Sequence, residues 1–186
     1  MPEVFYASEL IAQLALLAGL PTRPVVLIDG ASGSGKSTLG SDLAEAMAAQ
    51  LIHLEDLYPG WDGLEAASSQ LFDEVLSSPT PRWRGWDWER NVHTHWRSVD
   101  PTPPLVVEGS GALSRCNREL ATFGIWVELD EPTRKRRALD RDGDRYAPHW
   151  DRWAAQEEAF AQRERPADLA DVTVDVRAGT LRKRTA

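Results

Sequence analysis

A chain of 186 residues and 20.7 kDa is the size of one domain with a full core and is too short for two. Its 21 basic and 29 acidic residues give a net charge of −8, which argues against a nucleic-acid binder, since that affinity comes from surplus Lys and Arg on phosphates. A single cysteine, Cys116, rules out an internal disulfide framework and fits a reducing compartment, so a cytoplasmic setting is expected. Two counts are unusual: eight tryptophans, five of them between Trp61 and Trp96, and three lysines (Lys36, Lys135, Lys183) against eighteen arginines.

Taken in chain order, residues 1–22 predict an amphipathic N-terminal helix. Ser8 is a candidate cap, and Leu10, Ile11, Leu14 and Leu17 form a stripe at spacings of three and four. Acidic Glu3 and Glu9 and the absence of a basic leader argue against a secretory signal, and no run approaches the roughly 20 apolar residues of a membrane span. Val25 to Asp29 reads as a strand buried on both faces, followed by a glycine-rich turn and a helix from Lys36 to Gln50 with Leu39, Leu43, Ala46 and Met47 inward. Further strands are predicted at Leu51–Leu54, Leu105–Glu108, Ile125–Leu129 and Val172–Val176, with helical stretches between them. That alternation predicts a parallel five-stranded sheet in a three-layer α/β sandwich, with ligands at the carboxyl ends of the strands. Residues 177–186 read as a solvated, frayed tail, and residues 1–186 as one domain.

Gly30-Ala31-Ser32-Gly33-Ser34-Gly35-Lys36-Ser37 satisfies G-x-x-x-x-G-K-[ST] between a predicted strand and a predicted helix. Such a Walker A loop, or P-loop, turns successive backbone N–H groups onto phosphate oxygens at a helix N-terminus. In that reading Lys36 reaches the β- and γ-phosphates, the Ser37 hydroxyl is a ligand of Mg²⁺, and Thr38 completes the nucleotide contacts. A glycine-rich turn arising by chance is the alternative. Neither the N-K-x-D run of guanine-specific switches nor the L-S-G-G-Q transporter signature occurs, which leaves small-molecule kinases ahead of nucleotide-dependent switches.

The segment His53 to Asp62 follows the second strand, and its Asp56 and Tyr58 resemble the Asp-x-Phe-Tyr type motif of the uridine kinase-like family of P-loop kinases. The resemblance implies that Asp56 is the base beside the acceptor hydroxyl, and a solvated turn acid is the alternative. Glu108, ending the strand before Gly109, is similar to the family's Glu-Gly and is assigned to the Mg²⁺ shell through water; otherwise it caps a turn.

From Glu131 to Arg145 six basic and four acidic residues make a local +2 against −10 elsewhere. Arg134, Arg137 and Arg141 share one helical face, able to converge on an anion, and with Asp142 they match the family's R-x-x-R-x-x-x-R-D lid pattern over 131–146. The alternative is a salt-bridged surface helix. The loop after Asp142 is shorter than in the family's nucleoside kinases.

Trp86-Asp87-Trp88 is similar to the family's Tyr-Asp-Phe region, and the resemblance places these residues, with Tyr58, Trp61 and Asp62, around the acceptor. The family's pyrimidine-reading histidine has no counterpart: Asn91 stands nearest, with His93 and His95 further on, and these two are not expected to hold zinc. The expected function is an ATP- and Mg²⁺-dependent kinase of a small-molecule hydroxyl, nucleoside or sugar-like, free of nucleic acid and membrane, with homo-oligomerisation open. The alternatives are a nucleotide-responsive protein with slow hydrolysis, or a nucleoside monophosphate or metabolite kinase of another branch using Arg82, Arg84 and Arg90 for an anionic acceptor.

Overall fold

The computed structural model describes residues 8–18 and 23–183. Its central sheet is built on β1 (Val25–Asp29), every residue of which is buried, so a continuous apolar run is what such a strand requires. The sheet runs in the order β2 (Gln50–His53), β5 (Leu105–Glu108), β1, β6 (Phe123–Glu128), β7 (Val172–Asp175), β8 (Thr180–Lys183). The first five strands are mutually parallel, as expected, and β8 adds a sixth, antiparallel to β7. The expectation of five strands and a frayed tail is therefore corrected. Thr180–Lys183 pairs along the edge of β7, and Arg182 meets Glu128 in an ion pair.

Alternation along β1 divides the core. Val26 and Ile28 pack with α1 (Ser8–Ala18) and α2 (Lys36–Met47) on one face, whereas Val25 and Leu27 face the larger cluster containing α3 (Leu64–Gln70) and α6 (Trp150–Glu164). In α1 the buried residues are Leu10, Ile11, Leu14 and Ala18; the rest of the expected 1–22 helix lies outside the described residues. In α2 the inward face is Leu39, Gly40, Leu43 and Ala44, and Ala46, expected inside, is exposed. The helix stops at Ala48, whose left-handed φ of 48° turns the chain into β2.

One element was not foreseen. Arg82–Asp87 and Val92–Ser98 form an antiparallel hairpin, β3 and β4, separate from the main sheet. Its aromatic and β-branched residues suit strands, and Asp87 Oδ1 closes the turn by accepting from the N–H groups of Glu89 and Arg90, both at 3.0 Å. Two short helices, α4 (Arg115–Leu120) and α7 (Pro166–Leu169), connect the remaining strands. The basic segment is α5 (Glu131–Asp142), capped by Asp130 accepting from Thr133 N at 3.0 Å, with Pro132 in its first turn and Gly143 ending it. Among the described residues no helix is long and apolar enough to cross a membrane.

Candidate active site

Parallel pairing aligns Ile28 and His53 with Glu108, so the ends of β1, β2 and β5 meet at one sheet edge. The loop from Gly30 to Ser37 leaves β1 there. At Gly33 φ is +79°, and an added Cβ would come within 2.2 Å of the Arg134 carbonyl, so loop and α5 touch through a position only glycine can fill. Ser32, Gly33, Gly35, Lys36, Ser37 and Thr38 line a cleft of about 1000 Å³, while Gly30 and the fully buried Ser34 stand behind it. Lys36 is buried with Nζ 3.5 Å from the Ala31 carbonyl, and Ser37 Oγ donates to Glu108 Oε2 at 3.2 Å. That pair of hard oxygens is what a Mg²⁺ ion uses when it keeps most of its waters. Among the described residues no cluster of three acids, histidines or cysteines offers a fuller protein cage.

Glu108 Oε1 also lies 2.6 Å from His53 Nδ1, and this hydrogen bond raises the His53 pKa above its ordinary value. Beneath the loop Asp29 accepts from the N–H groups of Gly30 (2.6 Å), Gly111 (3.1 Å) and Leu113 (2.9 Å). Complete burial pushes its carboxyl up to about 6, partly offset by those donors.

Of the three lid arginines, Arg137 and Arg141 line the cleft. Arg134 donates to the carbonyls of Leu129 and Ser32, both at 3.1 Å, and so braces the glycine loop from the lid. Arg137 lines the cleft and carries a buried Nη1 with no hydrogen-bond partner. Arg141 also lines it, held by Asp142 at 2.7 Å.

At the other end of the cleft the wall is Glu55, Tyr58, Trp61, Trp88, Tyr146, His149 and Trp153. Trp61 stacks on Tyr146 (5.4 Å, 12°) and His149 (4.3 Å, 14°), fastening the end of the lid to the segment after β2. Tyr58 is buried, its hydroxyl donating to the Ser110 carbonyl at 2.9 Å, and burial raises its pKa well above the ordinary value.

Asp56 is absent from this wall. Residues 54–56 form a 3₁₀ turn, three residues per revolution, so neighbouring side chains diverge by about a third of a turn and Glu55, not Asp56, faces the cleft. The spacing carried the signal: in Asp-x-Phe-Tyr the acid stands three residues before the tyrosine, and here that residue is Glu55.

Asp62 is paired with Arg152, which lowers its pKa, and together with Trp86 it lines a neighbouring cavity rather than the cleft. Asp87, expected at the acceptor, closes the hairpin turn instead. Of the arginines considered for an anionic acceptor, Arg82 pairs with Glu74, Arg84 donates to the Thr94 carbonyl and Arg90 lies beside Asp87; none lines the cleft.

One residue that sequence reasoning gave no role is Glu157 of α6. Its Oε1 accepts from Ser32 N (2.7 Å), Ser110 Oγ (2.7 Å) and Trp153 Nε1 (2.9 Å), joining the glycine loop, the loop after β5 and the aromatic wall.

A parallel sheet with a glycine loop after β1, a strand-end acid on β5 and an arginine helix after β6 has counterparts among solved structures. A protein described as a possible uridine kinase from Bacillus stearothermophilus superposes with a TM-score of 0.63 at 21% identity, covering 90% of this chain and 98% of that one. The fold is that of the P-loop kinases. A candidate fructose transport system kinase from Silicibacter superposes with a TM-score of 0.52 at 19% identity, over 93% of this chain and 96% of its own. In sequence, a shikimate kinase of Corynebacterium efficiens is 28% identical over 110 residues, 58% of this chain and 59% of that protein's length. No family model matches the chain.

Proposed function

We propose that this P-loop kinase fold transfers the γ-phosphoryl group of ATP, with Mg²⁺, to a hydroxyl of a small metabolite. The observation that carries the reading is one cleft holding a glycine-loop anion cradle at one end and, at the other, the carboxylate of Glu55 against an aromatic wall. The fold neighbours described as a possible uridine kinase and a candidate fructose transport system kinase, and the partial match to a shikimate kinase, support the same class.

Loop N–H groups and Lys36 hold the phosphates, and Ser37 and Glu108 would hold a hydrated Mg²⁺, which would supply neutralisation of phosphate charge. The unpartnered Nη1 of Arg137 takes an oxygen of the transferring group. Glu55 accepts the hydroxyl proton as the acceptor oxygen bonds to phosphorus and the bond to the ADP oxygen breaks, so products are the phosphate ester, ADP and one proton. Residues 131–146 act as the lid, Trp61 and Tyr146 being its catch. A reducing cytoplasm suits the exposed thiol of Cys116.

The test is ADP release with ATP, Mg²⁺ and a panel of hydroxyl compounds. Glu55→Gln lowers acceptor-dependent turnover by roughly 10²-fold with ATP affinity retained, while Asp56→Asn stays near wild type. A crippled Asp56→Asn with an active Glu55→Gln would return the base to Asp56. If no acceptor raises ADP release above basal hydrolysis, the kinase reading falls in favour of a nucleotide-dependent switch.

A further inference from the structure

The carboxylate of Glu108 is held from three sides. β2 and β5 run parallel with His53 level with Glu108, so these two strand-end side chains leave the sheet on the same face. It is the face that α2 covers, since Val106, two residues before Glu108, packs in the cluster with Leu39 and Leu43 of α2. His53 Nδ1 lies 2.6 Å from Glu108 Oε1, and Ser37 Oγ donates to Oε2 at 3.2 Å. The third side is Gly40 of α2. A Cβ added there would stand 2.9 Å from Glu108 Cγ, so the glycine leaves the room in which the acid lies.

The two oxygens of Glu108 have different tasks. Oε2 takes the single proton of the Ser37 hydroxyl, which leaves that hydroxyl's lone pairs for a cation in the cleft that Ser37 and Glu108 both line. Oε1 is taken by His53, at the shorter of the two distances. A carboxylate is planar, so fixing Oε1 fixes where Oε2 points. Without the imidazole, a buried acid with one oxygen unmatched would turn about its last bond in search of a donor, and Ser37 would lose its fixed acceptor.

Exposure separates the partners. The Glu108 side chain is 3% exposed and that of His53 39%, so the imidazole can be replaced without opening the core. Its bond to Glu108 needs a proton on Nδ1, which the neutral Nδ1–H tautomer and the charged ring both supply, so the role does not depend on the charge of His53.

We infer that His53 is a positioning residue for the metal, acting through Glu108: it sets the carboxylate oxygen that aims the Ser37 hydroxyl at a hydrated divalent cation. The inference rests on the kinase reading for its metal and nucleotide, and on no acceptor. The full chain is titrated with Mn²⁺, a paramagnetic stand-in for Mg²⁺, in the presence of ADP, with the free ion followed by electron paramagnetic resonance. ADP affinity without metal is measured separately by calorimetry with a chelator present. In His53→Ala the Mn²⁺ affinity falls roughly 10–100-fold, the scale for removing a group that orients a metal ligand, while metal-free ADP affinity is unchanged. His53→Asn, whose amide nitrogen takes the place of Nδ1, recovers most of the loss. His53→Gln, whose amide lies where Nε2 was, does not, and it serves as the loss variant if the alanine variant fails to fold.

Equal Mn²⁺ affinity in wild type, His53→Ala and His53→Gln overturns the inference. So does His53→Asn binding as weakly as His53→Ala, a fall in metal-free ADP affinity as large as the fall for the metal, or ADP binding by wild type that Mn²⁺ does not strengthen. The expected Mn²⁺ pattern with no compound accepting phosphate would remove the transfer reading alone; phosphoryl transfer with a Mn²⁺ affinity indifferent to His53 would remove the positioning role alone.

Discussion

The two ends of the cleft are made in different ways. The phosphate end is built from consecutive residues of one segment, Ser32 to Thr38, whose backbone N–H groups need only a glycine-permitted turn and a helix start. The acceptor end is built from side chains of four separated segments, around residues 55–62, 86–91, 140–149 and 152–157, meeting only after folding. A motif therefore specifies the first end by itself, whereas the second depends on how a hairpin, a 3₁₀ turn and the end of the lid are set against one another.

If the contrast is sound, the largest single loss comes from the local end. Lys36→Ala removes the buried ammonium from the cradle, and acceptor-dependent turnover should fall on the order of 10³-fold, the scale of losing a preorganised charge donor. Steady-state assays with the same acceptor decide it, and a smaller loss than that of Glu55→Gln would reverse the ranking of the two ends.

Next in size is the support under the phosphate end. Asp29 is fully buried and its carboxyl is raised from 3.8 to about 6, so the folded state holds a proton in a range where the unfolded chain has released it. A raised acid contributes stability below the unfolded value and loses it as pH climbs through the folded one. Between about pH 3 and 7 the stability of wild type relative to Asp29→Asn, which cannot titrate, should therefore fall by about 3 kcal/mol, roughly two thirds of it between pH 4 and 6. Denaturant melts of both proteins at several pH values measure this; a pH-independent difference would mean the three backbone donors to Asp29 fully offset its burial, and one that rises with pH that they outweigh it.

The contrast also explains what could be read in advance. The parallel strands were legible because β1 and β5 are runs buried at every residue and β7 alternates valines inward with Thr173 and Asp175, and the glycine loop because its spacing is its geometry. β8 was not, since Thr180–Lys183 is polar and pairs only because the edge of β7 is free. The hairpin was hidden in the same way: Val92–Ser98 is almost wholly exposed, so no burial pattern marks it as a strand. A linear motif does not show which of two adjacent acids, Glu55 or Asp56, a 3₁₀ turn directs inward. The arginine helix was found, but its face alone could not reveal that Arg134 is held by carbonyls and Arg141 by Asp142.

Glu157 tests whether the two ends are as separate as their construction. One carboxylate oxygen receives the Ser32 N–H of the phosphate end and the Trp153 N–H of the acceptor end, and Trp153 leans on Tyr58 at 4.6 Å. The contact to Ser32 ties down the glycine loop, and the contact to Trp153 fixes the ring that backs the acceptor wall. Glu157→Ala leaves both donors and the Ser110 hydroxyl without this partner, so the KM for ATP and for the acceptor should both rise, each on the order of tenfold. Glu157→Gln keeps an acceptor oxygen in place and should restore most of both, which a role in charge alone would not allow. Should only the ATP KM move, the oxygen serves the loop and the aromatic wall stands by its own packing; movement of both KM values makes this single carboxylate the joint between a local motif and an assembled pocket.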